Sequence, residues 1–241
     1  MHHQRSRPRL GALRTLTIAA ALLAAPSAQA ATRGYTITSF DAIRVDAPVT
    51  VILTTGTGAS ARAEGDQALL DRLNINVSGR LLSIGLARAQ PGQKSSGAAT
   101  LRLSTGMVDR IVMLGGGSVS VSAMKGLRGQ IVLGGNGDVT VASVDLDRIE
   151  ITLAGGGRAT LTGRAGDASI RVSGPGAVAA SALRTRQAVI GNEGPGSIAL
   201  AAEVTARITA SGSGDIAVTG KAACTVDNRG TGRIDCGGER Y

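Results

Sequence analysis

The chain has 241 residues, 26 of them basic and 17 acidic, with 35 glycines and only three aromatic residues, Tyr35, Phe40 and Tyr241. Its two histidines are His2 and His3 and its two cysteines are Cys224 and Cys236. The body of the chain therefore lacks the commonest general base, and it cannot assemble a Ser-His-Asp triad, a four-ligand Cys/His zinc site or an aromatic platform for sugars or bases.

Residues 1–30 read as a signal peptide. Arg5, Arg7, Arg9 and Arg14 form a basic stretch, Leu16 to Ala25 an apolar run, and Pro26-Ser-Ala-Gln-Ala30 a small-x-small cleavage pattern ending at Ala30. The apolar run of 10 residues falls short of the roughly 20 that a membrane span needs, so no membrane-spanning segment is expected after cleavage. No cysteine follows it to carry a lipid. The expected location is exported: periplasmic, or extracellular at the cell surface, in an oxidising compartment. Without the four leader arginines, 22 basic residues face 17 acidic ones, and no block of five like charges occurs. That pattern, with no aromatic–basic interleaving, predicts no nucleic-acid partner. It leaves room for weak attraction to anionic envelope polymers.

Residues 31–241 are expected to form one solenoid domain: 31–108 its first strands and a cap, 109–236 regular repeats, and 237–241 a tail. In the first part, Ile43, Val45, Ala47, Val49, Val51 and Leu53 alternate as a strand does, with Pro48 marking an edge or bend. Gln67 to Leu73 predicts a short helix, and Leu82, Ile84 and Leu86 alternate again. Residues 87–99 read as a loop. Asn76-Val-Ser78 fits a glycosylation acceptor, a tripeptide common by chance.

From residue 109 a repeat dominates. Gly-x-Gly recurs at Gly115/Gly117, Gly135/Gly137, Gly155/Gly157, Gly174/Gly176, Gly194/Gly196, Gly212/Gly214 and Gly230/Gly232, at spacings of 20, 20, 19, 20, 18 and 18 residues. Six positions before each second glycine stand Ile111, Ile131, Ile151, Ile170, Ile190, Ile208 and Val226, all β-branched. Positions two and four beyond it are apolar in every unit. Each unit therefore reads as strand, glycine corner, strand, the glycines tolerating positive φ and close backbone approach. Such a unit is too short for a strand with a crossover helix, which takes roughly 30 residues. It suits one coil of a β-solenoid, about seven coils in all, with like side chains stacked in ladders. A nucleotide loop is not expected, because no helix pattern follows any Gly-x-Gly. Gly134 to Asp138 superficially matches a calcium-binding roll, but the aspartate falls one residue early and the period is about twice too long. No metal or other cofactor is expected.

Phe40-Asp-Ala-Ile-Arg-Val-Asp-Ala-Pro-Val-Thr-Val-Ile52 resembles the opening strand pair of the putative auto-transporter adhesin head GIN domain family. Leu81-Leu-Ser-Ile84, Met107-Val-Asp-Arg-Ile-Val112 and the Gly212-Ser-Gly-Asp-Ile216 unit are similar to its later strand, its entry into the repeats and its recurring motif. The resemblance covers about residues 35–236. It implies a right-handed single-stranded β-helix and brings no catalytic or binding residue with it. An auto-transporter requires a C-terminal membrane barrel, and this chain ends five residues after Cys236, so the head is expected to stand alone.

A polysaccharide-cleaving β-helix needs clustered carboxylates. Here Asp138, Glu150, Asp167, Glu193, Asp215, Asp227 and Asp235 are scattered, and Asp145, Asp147 and Arg148 are expected in one loop as solvated ion pairs. No catalytic residue is expected. The function expected is that of an exported, non-enzymatic envelope or surface module. It would bind, adhere or act as a scaffold toward an unidentified envelope or surface polymer or protein, self-association included. The alternative is a carbohydrate-active β-helix enzyme acting on an envelope or environmental polysaccharide.

Three local expectations follow from side-chain parity. Val112, Leu114 and Val132 should point outward and be covered by helix 67–73 or loop 87–99. Ala177, Ala179, Ser197, Ala199 and Ala217 should form a smooth outward stripe, either a contact face or merely a smooth one. Cys224 and Cys236 both fall on the inward parity across the last corner, about 5.5 Å apart at Cα for a disulfide. The alternative is a pair of buried thiols acting as small hydrophobes.

Overall fold

The computed structural model describes residues 31–89 and 97–241; the expected signal peptide with its cleavage at Ala30, and residues 90–96 of the expected loop, lie outside them. The chain opens with β1 (Ala31–Tyr35), β2 (Ala42–Val45), β3 (Val49–Thr55) and β4 (Ser60–Gly65). Pro48 stands in the bend between β2 and β3. Helix α1 (Gln67–Arg72) starts at Asp66, whose carboxylate accepts from the Leu69 N–H at 3.1 Å, an N-cap that satisfies one otherwise free donor. It ends one residue earlier than predicted, because Leu73 turns into β5 (Leu73–Ser78), followed by β6 (Leu81–Leu86) and β7 (Ala99–Thr105).

The repeats are β8 (Arg110–Met113), β9 (Gly117–Val121), β10 (Met124–Leu133), β11 (Asp138–Leu153), β12 (Arg158–Val172), β13 (Ala177–Asn192) and β14 (Ser197–Ala210). They continue through β15 (Ile216–Thr219), β16 (Ala223–Asn228) and β17 (Ile234–Cys236) to β18 (Glu239–Arg240). Successive repeats pair in parallel, Ile111 to Ile131 to Ile151 to Ile170 to Ile190 to Ile208 to Val226. The ladder also runs backward through Ile43 to Leu82. Every member except the half-buried Val226 is buried, and each fully buried aliphatic side chain contributes about 1.5–3 kcal/mol. The result is an all-β solenoid of about six turns rather than seven. Seven glycine corners bound only six intervals, and beyond the last corner the chain reverses at Gly237 and Gly238. Both glycines have positive φ, 59° and 89°, and they return the chain antiparallel onto β17. The expected tail is thus a short hairpin that pairs one strand of the final turn.

Each coil has one more feature than its sequence pattern announces. In β11 the buried residues are Val139 and Val141, then Val144 and Leu146, then Ile149, Ile151 and Leu153. The parity switches where two neighbours both face out, at Ala142-Ser143 and at Asp147-Arg148. Two bends that carry no glycine in β11 therefore join the glycine corner, and the coil has three sides; in β12 the same bends hold Gly163, with φ 129°, and Gly166.

The N-terminal end stacks out of chain order. β2 and β3 lie between β8/β9 on one side and β6/β7 on the other. β5 then closes β6, β4 closes β7 and β1 closes β4, all antiparallel. These antiparallel strands cover an edge that would otherwise offer free backbone groups.

The glycine corners are stacked on one another, so of the two reasons expected for glycine there, close backbone approach applies throughout and positive φ at one corner position. Among the corner glycines only Gly117 has positive φ, 109°. At Gly115 a Cβ would come within 2.8 Å of the Asp46 carbonyl carbon, and at Gly194 within 2.5 Å of the Ser173 oxygen. Gly135 meets the Leu114 and Gly115 oxygens in the same way, and Gly174 those of Ala154 and Gly155. Cβ atoms on Gly155, Gly157, Gly176, Gly196, Gly212, Gly214, Gly230 and Gly232 would each run into the carbonyl oxygen of the equivalent glycine one coil earlier. The second glycines also face inward: Gly137, Gly176 and Gly232 are buried and lack positive φ. They are better described as close-packed lumen positions than as exposed turn residues. A Cβ on Gly137 would strike the Met113 methyl and come within 3.0 Å of the Gly115 and Gly117 oxygens, and one on Gly176 would come within 2.6 Å of a Leu153 methyl. At Gly232 the obstacle is backbone, the Gly214 carbonyl and, at 3.1 Å, the Ser213 carbonyl carbon.

Cys224 on β16 and Cys236 on β17 are joined in a disulfide with Cα atoms 6.3 Å apart. The bond ties together two sides of the last turn, whose half-buried Val226 has no following coil over it. Closing a loop of about 13 residues limits the unfolded chain by roughly 3 kcal/mol in the entropy model. Denatured, unreduced protein is therefore expected to show no reactive thiol, and Cys224→Ser with Cys236→Ser to lose about that much stability. Two thiols titrating per chain before reduction would contradict the bridge.

Candidate binding face

One side of the solenoid follows each glycine corner. Its inward residues are the valine, leucine and isoleucine ladders of the core. Its outward residues form two ladders in register from cap to tail. One passes through Thr50, Ser118, Asp138, Arg158, Ala177 and Ser197, the other through Ile52, Ser120, Thr140, Thr160, Ala179, Ala199 and Ala217. Ala177, Ala179 and Ala199 are half-buried, while Ser197 and Ala217 are exposed. Across the coils of β13 and β14 these positions carry nothing longer than a serine hydroxyl, and in the third coil the exposed Asp215 stands two residues before Ala217.

Two aspartates on this face have structural partners. The Asp138 carboxylate accepts from the Arg158 N–H at 3.0 Å, and Asp215 accepts from the Arg233 N–H at 2.8 Å. Each aspartate thus ties one coil to the next, which accounts for its place beside the corner without any calcium.

In the coils of β11 and β12 the ion pairs lie on the other two sides. Asp145, Asp147 and Arg148 lie on β11, not in a loop. Asp145 is held by Arg164 of the next coil at 2.7 and 3.2 Å, and Arg148 reaches Asp167 at 3.1 Å. The Arg164 guanidinium keeps the Asp145 carboxyl below the ordinary carboxylate range. At the last turn Asp227 pairs with Arg229 at 2.9 Å and Asp235 with Arg240 at 3.2 Å. These exposed pairs contribute little to stability. Burial and the nearby Asp41 push the Asp109 carboxyl up; it lines a shallow depression with Arg110, Arg128, Arg148 and Glu150. Among the described residues no three His, Cys, Asp or Glu side chains come together as a metal site.

Helix α1 does not cover Val112, Leu114 and Val132; it packs against β4 and β1. Val112 and Val132 are half-buried as neighbours in one ladder, and Leu114 is 41% exposed with its side chain lying over Gly134. Residues 90–96 of the loop expected as the other cover lie outside the described residues; among the described residues the patch is thinned by its own packing.

Inward asparagines are the residues that pattern reading missed. Asn192 occupies the core ladder position taken by Leu153 and Val172 in earlier coils. Its amide donates to the Gly196 oxygen at 2.8 Å and the Gly214 oxygen at 3.2 Å, and accepts from the Gly194 N–H at 3.3 Å. Asn228 repeats part of this, accepting from the Gly230 N–H at 3.1 Å. The signal was present in the sequence as a polar residue four positions before the second glycine of two corners.

Residues 39–222 match the family model described as putative auto-transporter adhesin, head GIN domain. The chain belongs to this family. No curated protein matches it in sequence. The GIN-domain fold is shared by a crystal structure of a putative adhesin from Bacteroides fragilis NCTC 9343, at a TM-score of 0.80 and 20% identity, covering 87% of this chain and 98% of that one. A putative lipid binding protein from Parabacteroides distasonis ATCC 8503 superposes with a TM-score of 0.67 at 21% identity, over 86% of this chain and 96% of that one. A putative adhesin from Parabacteroides merdae ATCC 43184 gives 0.62 at 19% identity, over 86% and 95%. At these identities the likeness is one of fold. The GIN-domain match and the stacked corners together account for the whole run from β2 to the end of β15.

Proposed function

We propose that this GIN-domain protein is an exported, non-enzymatic module of the cell envelope or surface that binds a polymer or protein partner through the flat side carrying Ala177, Ala179, Ser197, Ala199 and Ala217. The observation that carries this reading is the smoothness of that side over the consecutive coils of β13 and β14. Small outward side chains let an extended partner approach the sheet closely over a long contact, and they lose little rotamer entropy on binding. Membership of an adhesin-head family and likeness to structures described as putative adhesins support a binding role. The leader-like residues 1–30 support export.

The test is retention of isolated envelope material on the immobilised protein under native conditions. Ala179→Gln with Ala199→Gln places two long neutral side chains on the stripe without touching the core. This pair is expected to reduce retention about tenfold, with thermal stability nearly unchanged because surface changes of this kind stay within about 0.5 kcal/mol. Unchanged retention would count against the face. A carbohydrate-active enzyme would draw instead on the raised Asp109 carboxyl and Glu150 in their arginine-lined depression. Incubation with acidic and neutral glycans is expected to release no product, and release abolished by Asp109→Asn would favour the enzyme.

A further inference from the structure

At the capped end of the same side, Arg62 on β4 stands directly opposite Arg102 on β7 in an antiparallel pair. Like charges placed opposite each other on one face are destabilising unless something neutralises them. Arg102 has a distant contact with Glu64, 3.9 Å away, and among the described residues Arg62 has no ion pair. Both face outward, into a depression also lined by Thr54, Ser60 and Ser104. The two serine hydroxyls are 2.7 Å apart and Ser104 donates to the Gly58 oxygen, so both hydroxyl protons are used within the wall and the guanidinium groups supply the donors that face the depression. The depression exists because Gly34, next to Arg62 in register, has open space where a side chain would project.

We propose that this pocket is an oxyanion subsite that takes the carboxylate or sulfate of an acidic polysaccharide lying along the flat side. Two guanidinium groups side by side offer planar forks that match such an oxyanion bidentately, and the anion relieves the repulsion between them. A hydrophilic chain fits better than a lipid surface. Tyr35, Ile37 and Leu103 also line the pocket but are turned wholly or partly into the core, and none of the large exposed apolar side chains, Met107, Leu114, Leu127, Val189, Val204 and Tyr241, lines it. The ladder that holds Arg102 continues through Ile52 and Ser120 to Ala179 and Ala199, so one polymer reaches both the charged end and the smooth stripe. The inference rests on the binding role proposed above and names the chemistry of the partner.

The experiment measures binding of the purified protein to polygalacturonate and dextran sulfate, with neutral dextran and phosphatidylglycerol vesicles as further arms. Arg62→Ser with Arg102→Ser is expected to weaken binding to both acidic polymers at least about tenfold. Arg186→Ser with Arg207→Ser, the same charge loss on other sides, is expected to change it less than about twofold. Arg62→Lys with Arg102→Lys should keep only part of the affinity, because the fork is lost while the charge stays. No binding to either acidic polymer, or equal losses in the two serine pairs, overturns the proposal. Vesicle binding as strong as polymer binding, and dependent on the same two arginines, overturns the choice of polysaccharide. If envelope retention falls in the Ala179/Ala199 variant but not in the Arg62/Arg102 serine variant, the charged subsite fails while the binding face stands. If retention falls in neither, the binding face fails too.

Discussion

Replacing Gly155 by alanine is expected to destabilise the protein by about 3 kcal/mol, while the same change at Gly116 leaves stability within about 0.5 kcal/mol. Both residues belong to Gly-x-Gly corners, and neither has positive φ. They differ in what lies beneath them. A Cβ on Gly155 would overlap the Gly135 carbonyl oxygen and stand 2.7 Å from its carbon, whereas Gly116 has nothing within 4 Å. The neighbour at Gly155 is backbone, held by the hydrogen bond from the Gly157 N–H to the Gly135 oxygen at 3.3 Å. No rotamer change relieves the clash, and the two coils must move apart at the corner. That separation strains the ladders on both sides, which interlock Leu133 with Leu153 and Val139 with Ala159. Urea unfolding followed by circular dichroism reads the difference directly. Equal stability of the two variants would show that the corners yield more easily than close packing predicts.

The same contrast shows why some of this fold was legible in the sequence and some was not. The isoleucine ladder and the corner spacing were readable because parallel stacking makes every coil repeat one solution to one packing problem. Alternation identified the inward residues of each side. It did not reveal the bends at Ala142-Ser143 and Asp147-Arg148, since a parity switch costs only one extra outward residue and the glycines at the equivalent bends of β12, Gly163 and Gly166, do not recur in every coil. The out-of-order stacking of β6 and β7 beyond β2 and β3 was hidden for a related reason. Leu82 and Leu101 are as apolar as Ile43 and Val51, so pattern alone does not say which coil lies outside. The row of small residues on the proposed binding face was legible, but the Arg62–Arg102 pairing was not, because it depends on the antiparallel register of the cap. A further part of the chemistry went unread because it sits inside the core.

Asn192→Ala is the second large effect, about 3 kcal/mol of lost stability. The Asn192 side chain is 1% exposed, and its amide meets three backbone groups of two successive corners. Removing it leaves the Gly194 N–H and the Gly196 and Gly214 oxygens short of partners where water has little access, and such unmet groups cost about 1–3 kcal/mol each. Only part of that cost is expected to survive relaxation, since the corner can shift toward the geometry of the coils that carry Leu153 or Val172 at this position. Asn192→Val is therefore expected to recover about 1 kcal/mol by filling the space, without restoring the bonds. Hydrogen exchange at the Gly194 amide separates the two contributions, because its protection should fall in both variants while global stability differs between them. Asn228→Ala, at the exposed last corner, should cost no more than about 1 kcal/mol, because its backbone partners can turn to water. An Asn192→Ala protein as stable as the parent, with the Gly194 amide still protected, would mean that the corners are held by stacking alone.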